Sequence, residues 1–188
     1  MDIKKTVEAE ESFLISLRRH FHENPELSQQ EFQTMDFIEE TLHGWGISTV
    51  RVPRGGVFGM IDSGKDGWTV LMRADIDALP IEENPKNLAC EKVCLSKNHG
   101  VSHACGHDGH TAMLLTAAKI LAAHKDEWEG KVLLMFEEAE EMGERGVGHL
   151  LSYLDEKKIH VDACYGTHMM YCLSLIHISE PTRLDVIS

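Results

Sequence analysis

The sequence predicts an α/β domain layered around a mixed sheet. Apolar residues recur at three- and four-residue spacing in four stretches, the periodicity of helices with one buried face. Five short β-rich or continuously apolar runs lie among them, and strands and helices alternate along much of the chain, as a layered α/β domain requires. The 188 residues are 43% hydrophobic and 26% charged with only 15 Gly and 5 Pro, which excludes collagen-like, low-complexity and wholly disordered chains. A chain of this length can bury a core without disulfide staples.

From Val7 to about His22, Phe13, Leu14, Leu17 and Phe21 mark the first helix, which stops near Asn24-Pro25. Ser28 and Glu31 form a capping box with Leu27 as its staple, predicting a second helix that runs to His43 and ends at Gly44 and Gly46. Three β-rich runs follow, Ile47 to Val52, Val57 to Ile61 and Trp68 to Arg73. The turn chemistry of Gly55-Gly56 and Ser63 to Gly67 between them predicts a local antiparallel meander. The third run is apolar on both faces and reads as a central strand. After a polar excursion from Glu82 to Ser102, Asp108 to Ala123 reads as a helix, Lys131 to Phe136 as a continuous apolar strand, Arg145 to Glu156 as a helix and Val161 to Tyr165 as a last strand.

Lys+Arg 18 against Asp+Glu 31 gives a net charge of -13, which opposes binding to nucleic-acid backbones or anionic lipid and reads as a solvated acidic surface. The five cysteines, Cys90, Cys94, Cys105, Cys164 and Cys172, lack disulfide-framework spacing, so reduced thiols are expected. The first residues carry no apolar signal core and no stretch approaches a membrane span, which places the chain in the cytoplasm.

Chemistry concentrates in four segments, each just after a predicted apolar strand or at a helix start: Arg73 to Pro80, His103 to His110, Phe136 to Glu141, and Gly166 to His168. Ligands of α/β sheets bind at such strand ends. Taken singly, Asp75 and Asp77 also suit a turn or cap, the glutamates a solvated helix start, and His168 a structural role. Cys105, His107 and His110 on a Gly-hinged turn suit zinc, manganese or a similar divalent ion, without the paired C-x-x-C of a structural zinc finger. In such a site one of two adjacent glutamates can bind metal while the other takes a proton from water.

The segments Arg18 to Ser28, Arg73 to Pro80, Ala104 to His110 and Phe136 to Glu141, in that order, resemble the amidohydrolase branch of the aminoacylase/carboxypeptidase metallopeptidase family, from about Leu14 to Met169. That branch includes hippurate hydrolases, N-acetyl-diaminopimelate deacetylases, aminobenzoyl-glutamate hydrolases and auxin-conjugate hydrolases. The resemblance implies a three-layer α/β/α domain with a mixed sheet, the first half of a zinc-dependent exopeptidase-like catalytic domain. It implies two divalent ions, Mn or Zn with Co or Ni as further options, held by Cys105, His107, Glu141 and His168. Glu140 takes the general-base position, and Asp77 that of the acidic residue orienting a ligand. Asp75 falls where other branches carry a metal-binding His, and its role stays open, as does that of His110. The family's usual Phe-Gln-Pro-Ala-Glu-Glu is here Phe136-Glu137-Glu138-Ala139-Glu140-Glu141, which adds negative charge near the site and bears on metal affinity or substrate preference.

The implied reaction is hydrolysis of the amide bond of a small-molecule N-acyl or N-aroyl amino acid, with Glu140 activating a metal-bridging water. The full-length form is expected to be a homo-oligomer. Within the family a dipeptidase or carboxypeptidase is the alternative; outside it, a non-catalytic metal-binding or regulatory domain, which would need only Cys105 and His107. The family-like text runs through residue 171. Cys172 to Ser188, with Leu173-Ser174-Leu175-Ile176-His177-Ile178-Ser179-Glu180, reads as a translated sequencing adapter and is set aside as a non-native tail. The family's inserted lid or dimerisation domain and last metal-binding His have no counterpart here. The chain alone is therefore expected to be an inactive fragment with exposed apolar strand edges and low solubility.

Overall fold

The computed structural model describes residues 2–86, 92–143 and 145–169. Its helices are α1 (Ile3–Ala9), α2 (Glu11–Glu23), α3 (Phe32–Gly44), α4 (His107–Ala123) and α5 (Arg145–Lys157). Its strands are β1 (Ser48–Val52), β2 (Gly56–Asp62), β3 (Thr69–Asp75), β4 (Lys131–Glu137) and β5 (Ala163–Gly166). Cys90, Cys172 and the tail predicted from residue 172 lie outside the described residues, within which Cys94, Cys105 and Cys164 are free thiols.

Strand β4 organises the core because its side chains are apolar on both faces, and successive residues of a strand point to opposite sides. Val132, Leu134 and Phe136 pack with Leu17, Phe21, Ile38, Leu42 and Leu115 of α2, α3 and α4. Leu133 and Met135 pack on the other side with Leu150 and Leu154 of α5. Helices thus cover both faces of the sheet, the three-layer arrangement the family resemblance implies.

The strand order is β1-β2-β4-β3-β5. β1 pairs with β2 and β2 with β4 in antiparallel fashion, whereas β3 runs parallel to both β4 and β5. The predicted meander is therefore corrected: β1 and β2 form its first hairpin, but β3 leaves β2. β3 instead lies inside the sheet between β4, reached through α4, and β5, reached through α5, with helices on both faces, as a strand apolar on both faces requires.

Two helix predictions also change. The helix expected over Val7 to His22 is two, parted at Glu10, whose carboxylate pairs with Lys119 Nζ at 2.6 Å. The Ser28/Glu31 capping box does not form. α3 starts at Phe32, where the Glu26 carboxylate caps the Gln33 and Thr34 N–H groups at 3.2 and 2.8 Å, while Ser28 and Glu31 are both committed to groups distant in sequence.

Candidate metal centre

Parallel strands deliver their carboxyl ends to one edge of the sheet. Asp75 ends β3 opposite Glu137 at the end of β4, and Gly166 ends β5 opposite Arg73. Asp77, Glu140, Glu141 and His168 lie just beyond these ends, and α4 opens there with Cys105-Gly106-His107. Gly106 makes that turn possible at φ +90, a conformation L side chains rarely adopt.

His107 is fully buried, and backbone geometry fixes the tautomer of its neutral imidazole. Its Nδ1 lies 2.9 Å from the carbonyl oxygen of Asp77, which only accepts, so Nδ1–H donates there and to Asp77 Oδ1 at 3.1 Å. The lone pair of Nε2 then faces Asp75 Oδ2 at 3.6 Å, Glu140 Oε2 at 3.7 Å and Glu141 Oε1 at 3.7 Å. His107 Nε2, Asp75 Oδ2 and Glu141 Oε1 are all buried without a hydrogen-bond partner. Such atoms are costly unless a cation lies among them. Two donors about 2.1 Å from one ion at a tetrahedral angle are about 3.4 Å apart, close to these separations.

Cys105 Sγ lies 3.5 Å from His168 Nε2, whose other nitrogen donates to the Met169 carbonyl at 2.9 Å. Cys105, His107 and His168 form one group with donor atoms close enough for an ion, and Asp75, His107 and His110 another. The mixture of thiolate, imidazole and carboxylate suits zinc or a neighbouring transition ion.

Asp77 has no oxygen to spare. Oδ1 takes His107, and Oδ2 accepts from Ser28 Oγ at 2.7 Å and from the Glu141 backbone N–H at 3.0 Å. It therefore orients both a histidine and the glutamate loop. Glu31, completely buried, accepts from the Ala139 N–H at 2.7 Å and braces the same loop, where Ala139 is left-handed at φ 57.

The electrostatics are those of a site crowded with carboxylates. Burial, reinforced by Glu141 and Glu140, pushes the Cys105 thiol up to about 11, so it stays protonated until a cation reverses the field. Burial and the charge of Asp75 raise Glu140. Burial would raise Asp75 as well, but the hydrogen bond from His110 and the charges of His107 and Arg73 hold it at about 2. Burial opposes a charge on His107, yet its bond to Asp77 and the nearby Asp75 outweigh that and raise it.

All six predicted site residues, Cys105, His107, Glu140, Glu141, His168 and Asp77, meet at this edge. Sequence reasoning left Asp75 open; its Oδ2 lies 3.6 Å from His107 Nε2 in the cluster and 3.5 Å from the Arg73 guanidinium. It also missed Ser28 and Glu31, whose spacing matched a cap. The extra charge expected from Glu137 is paired: its carboxylate takes Arg73 Nε at 2.6 Å, the guanidinium that also reaches Asp75 Oδ2 at 3.5 Å, and accepts from the Val147 N–H at 3.0 Å.

The family model described as peptidase family M20/M25/M40 matches residues 71–186. The chain is 41% identical over 172 residues to the N-acyl-L-amino acid amidohydrolase of Geobacillus stearothermophilus, covering 89% of this chain and 44% of that protein. It is 41% identical over 171 residues to thermostable carboxypeptidase 2 of Saccharolobus solfataricus, covering 89% and 42%. Among solved structures, Bacillus subtilis YxeP, described as a dinuclear metal-binding peptidase of the M20 family, superposes with a TM-score of 0.77 at 38% identity, covering 89% of this chain and 46% of that one. The chain thus spans less than half the length of these relatives.

Proposed function

Because the chain belongs to peptidase family M20/M25/M40, we propose that it carries the metal-binding half-site of an amidohydrolase that cleaves the amide bond of an N-acyl or N-aroyl amino acid. The observation that carries this reading is the convergence of His107 Nε2, Asp75 Oδ2 and Glu141 Oε1, all buried without a hydrogen bond and with Asp75 facing only the Arg73 guanidinium at 3.5 Å, beside the partly exposed Glu140. Cys105, His107, Glu141 and His168 would hold two divalent ions, of which Mn or Zn best suits the donor set. When bound, the metal supplies Lewis acidity, which lowers the pKa of water and polarises an acyl carbonyl.

The chain's own residues divide the remaining work. Asp77 fixes His107 with Nε2 inward and, through the Glu141 amide, sets the glutamate pair. Glu140 lies within 3.7 Å of His107 Nε2 with its side chain 36% exposed, so it can reach both the donor cluster and an incoming substrate. Its raised pKa suits a group that takes a proton from water and returns it to the leaving amine nitrogen. Nothing in a site that only stores metal calls for a carboxylate held in this half-open position.

The test is hydrolysis of N-acetyl-, N-benzoyl- and N-aminobenzoyl-amino acids by the source gene's product with added Mn²⁺ or Zn²⁺. Turnover of at least one class that is lost on chelation supports the reading; turnover untouched by chelation overturns it.

A further inference from the structure

His110 is buried at the heart of the cluster, yet neither ring nitrogen is free to bind metal. Nε2 accepts the Met169 backbone N–H at 2.7 Å, so Nδ1 carries the proton, which it donates to Asp75 Oδ1 at 2.9 Å. Its ring lies between those of His107 and His168, with centroids 5.2 and 4.7 Å away. Thr111 Oγ1, which bonds both the Asp75 and His107 carbonyls, ties the same turn of α4 to the end of β3.

The loop leaving β5 rests on this turn through two glycines. A Cβ at Gly106 would lie 2.8 Å from Met169 Cβ, and one at Gly109 would lie 3.1 Å from Met169 Cγ. A side chain at Gly106 would force Met169 away and one at Gly109 would crowd it, and the approach the two glycines allow brings His168 to Cys105. A helix start, a strand end and a strand exit therefore meet at one imidazole.

We propose that His110 is a positioning residue for the metal centre. It seats the His168-Met169 loop on Gly106 and Gly109 while holding Asp75 so that its other oxygen lies between Arg73 Nη2, at 3.5 Å, and His107 Nε2, at 3.6 Å. A neutral imidazole with a fixed tautomer suits the task, since it must donate on one side and accept on the other. The inference rests on the metal-centre reading above, and its test separates the two.

Asparagine at position 110 can reproduce only the donor to Asp75, and glutamine only the acceptor for Met169. Co²⁺ affinity is measured by optical titration for the unsubstituted chain, His110→Asn, His110→Gln and His168→Ala, and for His168→Ala in both His110 backgrounds. His110→Asn is expected to weaken Co²⁺ binding about 10–100-fold, the scale of lost groups behind metal ligands. Because that variant has already released the loop, adding His168→Ala should cost no more than about twofold further. His110→Gln keeps the loop seated and should retain the full penalty of His168→Ala.

Unchanged affinity in His110→Asn, or losses that simply add, would overturn the proposal, since a merely structural residue gives additive losses. If His110→Asn yields no folded protein, His110→Gln decides: it removes the donor to Asp75, so Co²⁺ binding weakened about 10-fold or more supports the positioning role, and unchanged affinity overturns it. Absence of Co²⁺ binding by the unsubstituted chain would overturn the metal centre and this inference with it.

Discussion

Glu31 offers a test of how the glutamate loop is braced. Its carboxyl is completely buried, with one oxygen on the Ala139 N–H and the other, Oε2, without a partner. Burial dominates and raises its pKa from 4.5 to about 7. A folded-state pKa above the unfolded one means the native state binds the extra proton. The stability linked to it is complete below about pH 4.5 and is lost as pH rises through about 7. A shift of that size corresponds to about 3 kcal/mol, reached by about pH 8. Glu31→Gln keeps an acceptor for Ala139 and cannot ionise, so it should be indifferent to this window. Urea unfolding of the metal-free protein between pH 5 and about 8.5 reads the difference between the two proteins. The unsubstituted protein should lose about 2.5 kcal/mol relative to Glu31→Gln across that range, part of the total having already gone by about pH 5. A difference that does not change with pH would refute the argument that burial holds this carboxyl protonated.

The remaining predictions concern the site. Glu140→Gln should leave metal binding intact and reduce turnover of the source gene's product about 10²–10⁴-fold, read by paired metal titration and hydrolysis assays. Asp77→Asn disturbs the tautomer of His107 and the Glu141 amide together, and should weaken metal binding about 10–100-fold by calorimetry. Gly106→Ala places a side chain at φ +90 and against Met169, and should destabilise the fold by about 1–3 kcal/mol in denaturant melts.

The layers and the site segments were legible because they depend on short-range pattern. β4 announces itself by an unbroken apolar run, and the donors follow strand ends or open a helix. What stayed hidden depends on partners remote in the chain. Ser28 answers to Asp77, 49 residues on, and Glu31 to Ala139, 108 residues on, so their local spacing pointed to a helix cap that the tertiary structure overrides. The insertion of β4 between β2 and β3 is equally non-local, since turn residues signal a reversal of direction but not which strand receives it. Asp75 and His110 sit 35 residues apart and become a pair only once α4 crosses the end of β3.

The central claim is that the carboxyl edge of the sheet is a metal centre whose thiolate is Cys105. Co²⁺ titration with optical detection tests it most directly, because a thiolate bound to cobalt gives a charge-transfer band that oxygen and nitrogen donors do not. The account predicts that this band appears on titration and is absent in Cys105→Ser. A Co²⁺ spectrum without the band, or one unchanged by Cys105→Ser, would contradict it.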